Sequence, residues 1–118
     1  MDSGQNFVTD KIIVLSTCSS AEEASRIARQ LVEARLAACV NIVPSLRSIY
    51  RWKGATEESD EVLLLIKSSR PLFQDLQAAI ARLHSYETPE ALAISVVDGA
   101  EPYLMWLAHE LRAAGGEE

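Results

Sequence analysis

The residues best equipped for chemistry crowd into one short segment, His84-Ser85-Tyr86-Glu87-Thr88-Pro89-Glu90. An imidazole, a phenol and two carboxylates lie there within seven residues. Imidazole with carboxylate suits zinc or copper, and a thiolate from Cys39 or Cys18 adds a soft ligand for copper(I). The spacing matches no closed metal motif, however, and a histidine that ends a helix also suits the negative end of the helix dipole. Cys39, at the head of a strand, equally reads as a small buried apolar residue, whereas Cys18, between a strand and a helix, is expected to be more exposed. Ser16, Ser19 and Ser20 have no histidine or aspartate placed beside them by sequence and read as a strand end and a helix cap. His109 lies off the apolar stripe of its helix and reads as solvated. The GATEESD run at 54–60 lacks the ligand alternation and glycine of a calcium loop and reads as a solvated hairpin tip. No glycine-rich phosphate loop, GxSxG, HExxH or CxxC occurs. With no nucleophile–base pair in view, a non-catalytic protein is expected.

Those side chains must be held by an alternation of strands and helices. Residues 11–18, KIIVLSTC, form a β-branched run expected to be a central strand. Ser20 to Glu23 has the form of a capping box, and Ala24, Ile27, Ala28, Leu31, Val32 and Leu36 recur behind it at helical spacing to about residue 37. Residues 38–68 read as one long hairpin. Its first arm places Val40, Ile42, Leu46, Tyr50 and Trp52 on one face and Asn41, Ser45, Arg47 and Arg51 on the other. Gly54 and the acidic run to Glu61 are expected to make the turn. The second arm, 62–66, is apolar throughout, as in a strand covered on both faces. Pro44 cannot donate to a ladder and marks an edge or a bulge. Pro71 opens a second helix with Leu72, Leu76, Ala79, Ile80 and Leu83 as its stripe, and Thr88-Pro89 stops it. Residues 91–97 read as a strand, and Pro102 opens a last helix with Tyr103, Leu104, Leu107 and Leu111 inward. The order β-α-β-β-α-β plus a C-terminal helix predicts an α+β, ferredoxin-like split βαβ domain spanning 1–118, with 1–10 and 114–118 flexible. Its antiparallel sheet carries the second strand at an edge, where Pro44 also points.

Length then implies a partner. An arm of about 14 residues spans ~46 Å at ~3.3 Å per residue. The longest helix expected here has ~18 residues and covers ~27 Å. The outer half of the arm, with Tyr50 and Trp52, would face water along an unpaired edge unless another copy of the chain covered it. A closed homo-oligomer built through the hairpin is therefore expected, and packing against a partner suits the two aromatics better than nucleic-acid stacking. The formal charge of −6, from 17 acidic and 11 basic residues, repels nucleic acid and anionic lipid. No apolar run approaches the ~20 residues of a membrane span. The first ten residues lack a basic region followed by an apolar core, and two cysteines make no disulfide framework, so a cytoplasmic protein with reduced thiols is expected.

Six stretches together resemble the CutA divalent-cation tolerance family over roughly 12–111: VLST at 14–17, LAACVNIVP at 36–44, SIYRWKG at 48–54, EVLLLIKS at 61–68, HSYETPE at 84–90 and YLMWL at 103–107. The resemblance implies a ferredoxin-like homotrimer, related in architecture to the PII signalling proteins, whose long hairpin engages neighbouring subunits. It also implies a role in divalent-cation tolerance with binding of copper or another divalent metal ion. Some members carry Cys where this chain has Ser16 and a second His where it has Leu83, and the usual HPYE is His84-Ser85-Tyr86-Glu87 here. Of that ligand set only His84 remains, with Cys39 and Cys18 as further metal candidates. A second reading, by likeness to PII proteins, is a sensor holding a small metabolite in clefts between subunits. Tyr50, Trp52, Lys67, Tyr86, Glu87 and Glu90 are then the cleft residues. A trimeric scaffold for another protein is the third reading.

Overall fold

Burial alternates residue by residue along β1 (Lys11–Cys18), so Ile12, Val14, Ser16 and Cys18 share the inward face. The computed structural model describes residues 9–115. β1 pairs on one side with β3 (Ala55–Ser69) and on the other with β4 (Leu92–Ser95). β2 (Cys39–Trp52) joins the outer side of β3, which gives a four-stranded antiparallel sheet in the order β2-β3-β1-β4. Two helices, α1 (Ala21–Glu33) and α2 (Phe73–Leu83), bring Ala24, Ile27, Leu31, Leu76, Ala79 and Ile80 onto Ile12, Val14, Leu64 and Ile66 in one core cluster. Each large aliphatic side chain fully removed from water contributes about 1.5–3 kcal/mol, which is why both helices settle on the same face. The expected ferredoxin-like α+β plan is therefore present, with β2 at the edge. A third helix, α3 (Glu101–Glu110), follows β4.

Ser20 caps α1 as expected, its hydroxyl accepting from the Glu23 N–H at 3.1 Å. The reciprocal half of the capping box is replaced, because the Glu23 carboxylate turns instead toward Ser19 and Ser85. α1 also ends earlier than its apolar spacing predicts. Leu36 N–H donates to Leu31 O and Arg35 N–H to Val32 O, both at 3.0 Å, with Arg35 at φ +62°. This is a Schellman stop, usually served by glycine. The left-handed residue costs about 1–2 kcal/mol. Its side chain gives a reason to keep it: the Arg35 guanidinium donates to the carbonyls of His109 and Glu110 at 2.7 and 2.9 Å and so caps α3.

The hairpin departs most from the sequence reading. The acidic run is strand rather than turn: Glu57, Glu58, Ser59 and Asp60 each pair with a residue of β2. The turn is only Lys53-Gly54, both at positive φ (51° and 84°), as a two-residue hairpin matched to strand twist requires. Between Val43 and Leu46 the register shifts at a β-bulge, with Ser45 at φ +66°. One extra residue exchanges the two faces of the strand. Val40 and Ile42 thus lie opposite Ile66 and Leu64 on the helix-covered side, whereas Leu46, Tyr50 and Trp52 lie opposite Glu61, Glu57 and Ala55. The single alternating face read from Val40 to Trp52 is two faces joined by the bulge that Pro44 marks.

Beyond Val62 β1 has ended, so Leu46–Trp52 and residues 55–61 form a two-stranded ribbon. Its free length is ~23 Å at ~3.3 Å per residue. The Cα radius of gyration, 15.4 Å, exceeds the ~13.5 Å of a compact chain of this length. Smaller corrections concern the second half. A 3-10 turn at Arg70–Leu72 holds Pro71 before α2, and α2 stops at Leu83, ahead of Thr88-Pro89. Strand β4 is shorter than 91–97. Tyr103 is exposed rather than inward, while Leu107 is buried. Of the ends expected to be flexible, 1–8 and 116–118 lie outside the described residues. Thr9 and Asp10 are tied to Val96 and Arg70, and Gly115 N–H donates to Asp75.

Candidate functional site

The polar side chains converge where β1 ends, α1 begins and α2 stops. His84 is the C-cap residue of α2, its N–H bonded to Ile80 O at 2.9 Å. The ring is folded inward and its side chain is 0% exposed. Nε2 lies 2.7 Å from Thr17 O at the end of β1. A carbonyl only accepts, so Nε2 carries the proton. Nδ1 in turn accepts the Tyr86 N–H at 3.0 Å. This is the neutral Nε2–H tautomer with both nitrogens engaged.

Beside it, the Glu23 carboxylate takes the Ser85 N–H at 2.8 Å and the Ser19 hydroxyl at 3.3 Å, and lies 3.6 Å from His84 Nδ1. Burial works against its charge, yet the hydrogen bonds from Ser85 and then Ser19 hold the carboxyl below its ordinary value. The Tyr86 ring lies 4.5 Å from the His84 ring, and its hydroxyl donates to Glu61 Oε2 at 2.6 Å. Glu61 Oε1 accepts from Ser48 at 2.5 Å. Burial, and then the bond to Glu61 and the charges of Glu61 and Glu23, push the Tyr86 phenol up, so it stays a donor. Glu90 is raised by burial and by the Glu61 charge. A cleft of about 500 Å³ opens next to this network, lined by Ser19, Ser20, Ser45, Arg47, Asp60 and Glu61 among others.

The metal candidates are not brought together. Cys18 is fully buried, contrary to the expectation of exposure, because the strict alternation of β1 carries it to the core face with Ser16. Burial, and then the charges of Glu23 and Glu61, raise its thiol to about 11. Cys39 is partly buried and lies opposite Lys67, four residues along β3 from the Leu63 that pairs with Thr17. That offset is ~13 Å, too far for Cys39 to share an ion with His84. Ser16 is buried, and among the described residues its hydroxyl has no partner. Among the described residues no three His, Cys, Asp or Glu side chains are grouped to hold a metal ion.

The cleft candidates divide similarly. Tyr86 and Glu90 sit by Glu61 at the root of the ribbon, and Glu87 is exposed. Tyr50 and Trp52 lie out along the ribbon, 43% and 42% exposed. Lys67 is on the far side of the sheet, its ammonium 3.4 Å from the Tyr103 hydroxyl. Twelve residues of β3, or ~40 Å, separate Lys67 from the partner of Trp52, so one chain cannot put both in one cleft. Sequence reasoning missed Glu61 and Glu23 as members of this network. Glu61 was hidden in a supposed turn, and Glu23 was assigned to its own helix cap.

The fold and sequence have clear counterparts. The model of the CutA1 divalent ion tolerance protein family matches residues 12–110. A divalent-cation tolerance protein CutA from Thermus thermophilus is 50% identical over 95 residues, which cover 80% of this chain and 92% of that one. A solved structure from the same organism superposes with a TM-score of 0.85 at 46% identity, covering 86% of this chain and 99% of the other. Human protein CutA is 43% identical over 107 residues, covering 90% of this chain and 60% of the human protein. The structure of an Archaeoglobus fulgidus relative, described as a periplasmic divalent cation tolerance protein, gives a TM-score of 0.84 at 34% identity, covering 86% of this chain and 99% of that one.

Proposed function

The chain belongs to the CutA1 divalent ion tolerance protein family, and from that premise we propose that it acts as a non-catalytic homotrimer serving divalent-cation tolerance in the cytoplasm. One observation carries the trimer: a two-stranded ribbon runs on past the last residue of β1, and among the described residues no further strand of its own chain pairs with it. An isolated two-stranded ribbon is marginal in water. The face of the sheet away from α1 and α2 supplies the complementary surface. Ile13 and Leu15 of β1, Leu63 and Leu65 of β3 and Ile94 and Leu92 of β4 share that face, and Leu92 is 60% exposed. Neighbouring copies that cover both surfaces also explain why 62–66 is apolar on both sides. Two free cysteines some five β3 residues apart, a ~16 Å offset beyond disulfide reach, suit a reducing compartment. Light scattering at micromolar concentration tests the assembly, the reading requiring three times the 13.0 kDa of the chain; a stable 13.0 kDa species contradicts it.

A second reading has its own observation, the cleft beside Glu61. Glu61, which lines it, accepts from Tyr86, and a neighbour's ribbon would bring Tyr50 and Trp52 to it, as a small-ligand sensor of PII-like architecture requires. A thermal-shift screen with nucleotides and organic anions tests this, and no shift with any of them counts against it. Metal binding through His84 does not fit the ring as held, because both nitrogens already serve backbone groups.

A further inference from the structure

We infer that His84 in this chain is a positioning residue, a clamp in the Nε2–H form that seats Tyr86 on Glu61 at the root of the ribbon, and not a ligand for a divalent metal ion. Three observations converge. First, the imidazole has no lone pair to offer: Nε2 donates to Thr17 O at 2.7 Å and Nδ1 accepts from Tyr86 N at 3.0 Å. A metal at Nε2 would displace a proton and a carbonyl, and one at Nδ1 would orphan a backbone N–H. Second, Glu23 is the carboxylate beside the ring, Cys39 is remote, and among the described residues no three His, Cys, Asp or Glu side chains are grouped to hold an ion. Third, the clamp leads somewhere. Holding the Tyr86 N–H fixes the start of the 85–90 loop, the phenol then reaches Glu61, and Glu61 takes the Ser48 hydroxyl across the ribbon. A continuous path of hydrogen bonds thus runs from the end of β1 to both strands of the ribbon just past the bulge.

The test uses the full, uniformly ¹⁵N-labelled chain, which has only two histidines. Long-range ¹H–¹⁵N spectra are recorded with and without Zn²⁺, and exposed His109 serves as the internal control. His84 is expected to show the Nε2–H tautomer pattern and to keep its ring shifts through several equivalents of Zn²⁺. An Nδ1–H pattern, or ring ¹⁵N shifts at His84 that saturate with Zn²⁺, overturns the assignment. Variants give a second readout. His84→Gln keeps a donor within reach of Thr17 O and is expected to recover part of the denaturation midpoint lost in His84→Ala. Tyr86→Phe is expected to add little once His84→Ala is in place. Full additivity of those two losses contradicts the clamp. The spectra of the unsubstituted protein decide the matter even if His84→Ala does not fold.

Discussion

Replacing Tyr86 by phenylalanine removes one oxygen and probes the whole polar network. The hydroxyl donates at 2.6 Å to Glu61, whose residue is 8% exposed. A hydrogen bond to a charged group contributes about 1.5–3 kcal/mol net. Glu61 keeps Ser48 as a donor, and Tyr86 is only half-buried, so water can partly replace the phenol. The loss should therefore fall at the low end, about 1.5–2 kcal/mol. With an unfolding entropy near 2.1 cal/mol/K per residue, the melting temperature should drop by about 6–8 °C. Thermal and urea unfolding are to be compared at one protein concentration, because association shifts apparent stability. Glu61→Gln and the double variant complete the cycle. An unchanged midpoint for Tyr86→Phe, or strict additivity with Glu61→Gln, would refute the argument that these two groups hold the ribbon root together.

Other perturbations test separate parts of the account. Ser16→Ala removes a buried hydroxyl that has no partner among the described residues and should stabilise the protein by about 1 kcal/mol; a clear loss in urea unfolding would mean that the hydroxyl is in fact satisfied. Glu90 has its carboxyl raised on folding, so its contribution to stability is present below the ordinary carboxylate range and is lost as pH rises through the folded value. Glu90→Gln should therefore stabilise the protein at pH 7 and have no such effect near pH 3, and the opposite pH trend in unfolding midpoints would contradict the burial argument. Glu23 has the reverse sign: its lowered carboxyl contributes above the ordinary range and the contribution fades as pH falls through the folded value. Cys18, buried and pushed up to about 11, should resist alkylation at pH 7.5 while Cys39 reacts. Mass spectrometry of the native protein would expose an error if Cys18 were labelled first.

Much of the architecture was legible because it is local. The alternation of KIIVLSTC, the Ser20 cap and Pro44 at an edge each follow from a few neighbouring residues, and each stands in the fold. The ribbon was misread because its far arm carries acidic residues that resemble a turn until their partners are known. Arg47 lies opposite Asp60 and within 3.8 Å of Glu58, so the charges face one another across the strands. The bulge defeated the alternation from Val40 to Trp52 because one added residue inverts every later side chain while leaving the pattern of types intact. His84 stands out in the sequence, but the groups its ring bonds were not readable there. Thr17 O and the Tyr86 N–H are backbone groups, invisible in a list of side-chain types, and the first is 67 residues away.

The ribbon, which no other described strand of its own chain pairs with, needs neighbours to cover it. Sedimentation equilibrium of the purified protein at micromolar concentration measures this most directly. A single species of three times 13.0 kDa is expected, with the emission of ribbon Trp52 shielded from quenchers. A well-dispersed 13.0 kDa subunit with freely quenched Trp52 would contradict it.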